Sequence, residues 1–496
     1  MKFALIFQND TAAFLPELFL AISLLVVLLH GSFLGVSAAS LYTYLTPSMV
    51  RLTSIILFLS LILVLNNPVE SQTLWNSIFI TDHLATWSKI IIILGLLFCV
   101  LVSEAYLFSA RFRAFEFFFF IISISLSLCL LISSYDFLSI YLNMEFLSLI
   151  FYVLATWKKN SYFSAEAGLK YFILGSVASI FFLFGASLIY FSMGTTNLGS
   201  LALLTENLNT SSPFMFLGLI CTISALLFKL GAAPYHMWIA DVYEGSPTIV
   251  SLIFAVVPKI AVFIVILRLS FLSFWSFFPV FWEDFFCLCG LLSLFIGCLC
   301  GLGETKIKRL LAFSSVGHVG FLCIGLASGS IEGVQGVLFY LFIYMLTAAF
   351  LWIYVLHLDL GLTTTTSFLT FADSIGLVRS NPVFGLGVVL MIFSLAGVPP
   401  LGGFFAKLNI FISLVDASFY LVAIFSVLTS VISAFYYIRL IKIFYFEKND
   451  NWFYFAPISK GASLVLVLTA IIVIFFILSP NLFYLLTYKI GLGLMI

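Results

Sequence analysis

The sequence predicts an all-α polytopic membrane protein of about fourteen transmembrane helices. Three observations carry that prediction. Hydrophobic residues make up 63% of the 496 and charged residues only 8%, whereas a soluble domain carries about 25% charged residues; mean hydropathy is +1.23. Apolar runs of about 20 residues, the length that crosses hydrocarbon, recur along the whole chain with short polar connections between them. The basic residues fall on alternate connections, as the positive-inside rule requires of a chain that crosses back and forth.

The first apolar run lies in MKFALIFQNDTAAFLPELFLAISLLVVLLH and has no small-residue cleavage site before it. Nor is it an Arg-rich amphipathic transit peptide, so it is read as the first span and not as a signal peptide. The runs then centre on residues 24, 58, 98, 124, 146, 180, 224, 257, 288, 318, 345, 398, 432 and 471. The longest polar connections are 194–212 and 359–382. Neither is long enough for a separate soluble domain.

The third connection holds Arg111 and Arg113, the fifth Lys158 and Lys159, and the ninth Lys306, Lys308 and Arg309. Arg379 sits in the eleventh, and Arg439, Lys442 and Lys448 in the thirteenth. The even connections hold mainly acids: Glu70, Asp82, Asp136, Glu206, Glu283, Asp284, Glu332 and Asp416. Lys89 and Arg268, at span edges, are the exceptions. An odd or missing span would scramble this alternation, so it supports the count and predicts that both termini face outward.

Two spans are broken. The stretch from Ala225 to Lys259 carries Lys229 five residues before Pro234, and Lys259 directly after Pro258. The twelfth span is interrupted by Pro399 and Pro400 and followed by Lys407. A lysine at the centre of a transmembrane helix costs about 2.5 to 3.5 kcal/mol, and broken backbone at membrane depth is tolerated only inside protein or beside a cavity. The seventh and twelfth spans are five apart. An odd offset inverts the second unit relative to the first, the pattern of inverted-repeat transporters. The first lysine precedes its proline and the second follows, so strict equivalence of the two breaks does not follow from sequence.

With loop charges set aside, the deep ionisable residues are Glu145, Lys229, Lys259, Lys407 and His318. Glu145 is nine residues from Asp136 and thirteen from Lys158, which at 1.5 Å per residue places it near the bilayer centre. Three lysines against one glutamate do not balance as simple ion pairs. Each residue also has a structural explanation. Glu145 and Lys229 could be a fixed pair, Lys259 and Lys407 could cap carbonyls freed by the prolines, and His318 could be a hydrogen-bonded core histidine. Glu166 and Lys170, four apart, have the spacing of a helical surface pair. Glu17, Glu104, Glu116, His236 and His357 lie near span ends and are read as interfacial. The functional alternative is a proton relay. An amine in an apolar core releases its proton more readily, a nearby carboxylate holds it, and histidine titrates near neutrality.

Other chemistries find no support. The eight cysteines lie in apolar segments with no CxxC pattern, so neither zinc nor an iron–sulfur cluster is expected. GLGETK at 301–306 lacks the remaining glycine of a dinucleotide fingerprint. Lys and Arg number 21 against 21 Asp and Glu, which gives nucleic acid no purchase. The 59 phenylalanines fit an AT-rich genome such as an organelle's.

KLGAAPYHMWIADVYEGSPT, VVPKIA, ETKIKRLLAFSSVGHVGF, LAGVPPLGGFFAKLNIF and SAFYYIRLIK, with EAGLKYFILGS at 166–176, closely resemble the subunit 2 family of respiratory complex I, NADH:ubiquinone oxidoreductase. The likeness runs from about Asp136 to Lys448, and plant and algal mitochondrial members are the nearest in character. It implies an antiporter-like fold with two inverted five-helix repeats. Helices one to three would occupy residues 1–110, the first repeat 111–270, the second 271–450, and the last helix 451–496. It implies proton handling by Glu145, Lys229, Lys259 and Lys407, with His318 on the connecting hydrophilic axis.

The resemblance further implies that this chain binds no cofactor itself. NADH, FMN, iron–sulfur clusters and ubiquinone would belong to other subunits. Partners would be the other membrane-arm subunits of complex I, both antiporter-like and small, together with membrane lipids. The location would be the mitochondrial inner membrane, with both termini on the intermembrane-space side. One departure is Ala240, where the family usually has proline; its absence is expected to loosen a turn slightly. The chain stops soon after its fourteenth span without a long lateral helix, which favours subunit 2 over subunit 5. Two other readings share these features: a subunit of a monovalent cation/proton antiporter, and a scaffold that conducts nothing.

Overall fold

The computed structural model describes residues 10–35, 42–67, 71–109, 115–159, 161–207, 213–361, 370–375, 380–447 and 457–495. Glu70, Arg111, Arg113, Arg379, Lys448 and half of the 359–382 connection lie outside the described residues. Among the described residues thirteen helices are long and apolar enough to cross a membrane. The remaining crossing is the broken one, made of two shorter helices, Pro382–Ala396 and Gly402–Asp416. Thirteen of the centres read from the sequence fall inside a spanning helix, and 398 falls in the gap between the two halves.

The breaks have local causes. Proline fits the first turn of a helix but not its interior, and Pro382 and Pro258 each open one. In the twelfth span the first half stops at Gly397, whose φ of 87° is left-handed. Its N–H and that of Val398 both donate to the Phe393 carbonyl, at 3.0 Å each, which satisfies the end of the helix. In the seventh span Pro213–Leu230 ends just after Lys229, and the chain resumes helix at Met237–Gly245. Ala240 lies inside that second half-helix, 7% exposed. The loosened turn expected there is therefore not a turn at all, and alanine, the best helix former, suits it.

Two elements were not separated by hydropathy. The 194–212 connection contains a helix, Leu198–Asn207, capped by the Asn197 side chain, which accepts from Gly199 N at 3.0 Å. Beyond Lys460–Leu478 a further helix, Pro480–Met495, follows. Its Phe483 and Tyr484 stack on Phe342 and Phe339 of the eleventh span, at 4.9 and 5.3 Å.

The chain divides into two compact units. The first comprises Met1–Leu154, Phe172–Lys229 and Val257–Ser276. Within it a hairpin, Gln72–Leu74 with Phe79–Thr81, joins the second and third spans. Lys89, 4% exposed, is in direct ion-pair contact with Glu17, 2% exposed. Arg268, fully buried, donates to Asp82 at 2.9 Å. Glu17, read as interfacial, lies in the first turn of the first span and is buried against its partner, and the two pairs account for the two basic exceptions on the acidic side. Each of those cations has its own carboxylate.

The second unit comprises Ala155–Tyr171, Leu230–Val256 and Phe277–Ile496. Its ninth and tenth spans, Glu283–Gly303 and Ile307–Ala327, approach backbone to backbone. A Cβ on Gly297 would come within 2.6 Å of Gly317 N, so only glycine fits, as small residues permit close helix packing in membranes. His357, also read as interfacial, is 4% exposed with its ring 5.3 Å from that of Phe384.

Candidate functional site

The first unit places Glu145 and Lys229 within electrostatic reach of each other. Lys229 sits in the last turn of Pro213–Leu230, where the free carbonyl ends of the helix favour a cation. Its Nζ is buried and makes no hydrogen bond among the described residues; the same holds for Glu145 Oε1. The other carboxylate oxygen, Oε2, accepts from Ser148 Oγ at 3.3 Å. A fixed ion pair would have closed into a direct contact. These two groups interact through space and are not locked together.

Lys259 lies in the first turn of Pro258–Leu267, every residue of which is buried, and is itself 3% exposed. The eighth span is the second most apolar of the thirteen, at a hydropathy of 2.8, and its core is buried throughout. No other charged side chain occurs in its first helical stretch or in Pro258–Leu267. Lys259 is thus a buried cation in an otherwise uncharged stretch.

The second unit brings His318 and Lys407 to one cavity, lined also by Tyr340, Tyr344, Thr347 and Ser394. Lys407 is 5% exposed, and its Nζ donates to the Ala396 carbonyl at 2.9 Å, at the end of the first half of the broken twelfth span. The ammonium also stands 5.3 Å above the Phe321 ring, a favourable cation–π arrangement. The capping role that sequence allowed for this lysine is therefore physically present. It does not exclude proton transfer, since the neutral amine keeps two N–H donors and can hold the same carbonyl after a proton leaves.

His318 has a hydroxyl on each ring nitrogen: Tyr340 at 2.6 Å from Nδ1 and Tyr437 at 3.2 Å from Nε2. Tyr437 in turn interacts with Ser314 and Tyr436, and Tyr344 with Ser315. The imidazole is satisfied as a core histidine, and it is also the middle of a chain of exchangeable hydroxyls ending at the cavity with Lys407. Hydroxyls of this kind donate and accept alike. The tyrosines were not singled out in the sequence, because a tyrosine in an apolar helix is indistinguishable there from an anchoring aromatic.

Residues 134–433 match the family described as NADH:quinone oxidoreductase/Mrp antiporter, TM. The chain is 36% identical over 499 residues to NADH-ubiquinone oxidoreductase chain 2 of Marchantia polymorpha, covering 98% of this chain and 99% of that one. It is 34% identical over 438 residues to NADH-quinone oxidoreductase subunit N of Pelagibacter ubique, covering 88% and 90%. A chain of respiratory complex I from Thermus thermophilus superposes with a TM-score of 0.79 at 28% identity, covering 95% and 98%.

Proposed function

The chain belongs to the NADH:quinone oxidoreductase/Mrp antiporter transmembrane family, and on that premise we propose that it moves protons across the mitochondrial inner membrane as a membrane-arm subunit of NADH:ubiquinone oxidoreductase. Quinone reduction, with NADH, FMN and iron–sulfur chemistry, takes place in other subunits and drives it. The termini face the intermembrane space, and the two five-helix repeats cover 111–270 and 271–450, each with one broken span.

One observation carries the reading: a buried Lys229 ammonium, without a hydrogen bond, within electrostatic reach of Glu145 at the end of a broken helix. A charge held that way responds to small movements of its partner, because the Coulomb term in a low-dielectric interior is steep in distance. Glu145 sets the proton affinity of Lys229. Lys259 and His318 pass the proton along the midplane, and Lys407 releases it outward. Each step biases its neighbour, and no substrate is chemically altered in this chain. The alternative of a cation/proton antiporter subunit is less well supported, since NADH oxidoreductase chains match this one at 34–36% identity over 88–98% of its length.

The test is Lys229→Ala in an assembled complex. Quinone-linked NADH oxidation and proton release are measured together in sealed vesicles. The expected result is a loss of at least half of the protons moved per electron in a complex that still assembles. Wild-type pumping by the intact variant overturns the assignment.

A further inference from the structure

Within the second unit, Met237–Gly245 is a helix of nine residues bounded by breaks on both sides, at 231–236 and at Ser246–Pro247. A helix so short does not hold itself in place. It is held by neighbours. Trp238 stacks on Tyr171 at 4.8 Å, and Tyr243 packs edge-on to Trp352 at 5.6 Å.

On its polar side a row of alternating charges runs through it. Lys170 Nζ lies 2.9 Å from Glu166 Oε1 and 2.8 Å from Asp241 Oδ2. Arg309 NH2 lies 2.8 Å from Asp241 Oδ1, and its Nε 2.9 Å from Glu244 Oε2, whose other oxygen contacts Lys306. Each carboxylate of the half-helix therefore bridges two cations. Asp241 alone joins the start of the sixth span, through Lys170, to the start of the tenth, through Arg309. Lys308 Nζ closes the far end by donating to Ser246 O at 3.1 Å.

We infer that Asp241 is a positioning residue for proton transfer, fixing the second half of the seventh span between the sixth and tenth spans by this row of charges. The inference rests on the reading of Lys229 as a proton carrier, since Asp241 lies twelve residues after Lys229 on the same broken span. Two facts separate positioning from plain stabilisation. The pairs made by Asp241 are part-exposed, with Asp241 at 35%, Lys170 at 43% and Arg309 at 32%, and exposed ion pairs add little stability. The row also borders a cleft of about 190 Å³, which leaves the half-helix room to shift if the row is cut. Glu166 and Lys170 are thus more than the helical surface pair that their spacing suggests.

The experiment compares Asp241→Asn and Asp241→Glu with wild type in the assembled complex. Native-gel abundance, quinone reductase rate and protons per electron are read for each. Asp241→Asn is expected to assemble and to lower protons per electron at least twofold, and Asp241→Glu to restore the ratio. An unchanged ratio in assembled Asp241→Asn overturns the inference, as does a fall in abundance with the ratio per complex intact. If Asp241→Asn does not assemble, Lys170→Gln at the exposed end of the row is read instead. There a lowered ratio supports the inference and an unchanged one overturns it. Lys229→Ala run alongside separates the two ideas. If it abolishes pumping while the Asp241 variants pump normally, positioning alone fails; if it pumps normally, the carrier reading fails.

Discussion

Lys407 is held by one residue that cannot be replaced without consequence. Gly397 ends the first half of the twelfth span with φ at 87°, where a side chain costs about 1–2 kcal/mol. A Cβ there would stand 3.0 Å from Lys407 Cδ and 3.3 Å from its Nζ. Gly397→Ala therefore strains the backbone and pushes on the ammonium that caps Ala396. It is expected to destabilise the subunit by about 1–2 kcal/mol and to lower proton transfer together with stability. Heating the purified complex and following its dissociation on a native gel checks the first part; a variant as heat-resistant as wild type contradicts it. The sequence displays Lys407 and both prolines openly, because a charge in an apolar run has no other reason to be there. It does not display the Ala396 carbonyl as a partner, since the break that frees that carbonyl is closed by a turn geometry and not by a residue type.

The fourteen elements were legible for the same reason, since hydrocarbon imposes length and apolarity on every crossing. What lay beyond reach was the pairing of side chains between elements. Glu17 and Lys89 are 72 residues apart, each near a helix start, and nothing in the sequence ties one to the other. The fold buries both in contact between the first and third spans. A buried pair adds little net stability, but removing one partner strands the other charge at a cost of about 3–5 kcal/mol. Lys89→Met alone should thus be severely destabilising, while Glu17→Gln with Lys89→Met should recover most of the loss. The two variants are compared by yield of assembled complex and by thermal dissociation. Equal behaviour of the single and double variants rules out a coupled pair. Similarly, Leu198–Asn207 escaped notice because its buried apolar residues are only Leu198 and Leu201, too brief a stripe to stand out from a loop.

For the whole molecule, direction is the property that matters, because a pump is defined by the sides it joins. The alternation of basic and acidic connections predicts those sides from sequence, and the two basic exceptions no longer weaken it. Lys89 and Arg268 are neutralised inside the protein by Glu17 and Asp82, whereas the rule counts charges that stay in the loops. Two exposed positions then report opposite faces. Lys159 follows the fifth span, and Asn76 sits at the tip of the hairpin after the second, with φ at 56°. A cysteine at Lys159 should react with a membrane-impermeant maleimide only from the matrix side. One at Asn76 should react only from the intermembrane-space side. Modification is measured in intact and in inverted inner-membrane vesicles, against a parent in which Cys300, already exposed, is replaced by serine. Labelling of both positions from one side would mean an even number of crossings between them has been miscounted as odd. Labelling of each from the side opposite to that expected would reverse the direction in which Lys407 releases its proton, while leaving the relay itself intact.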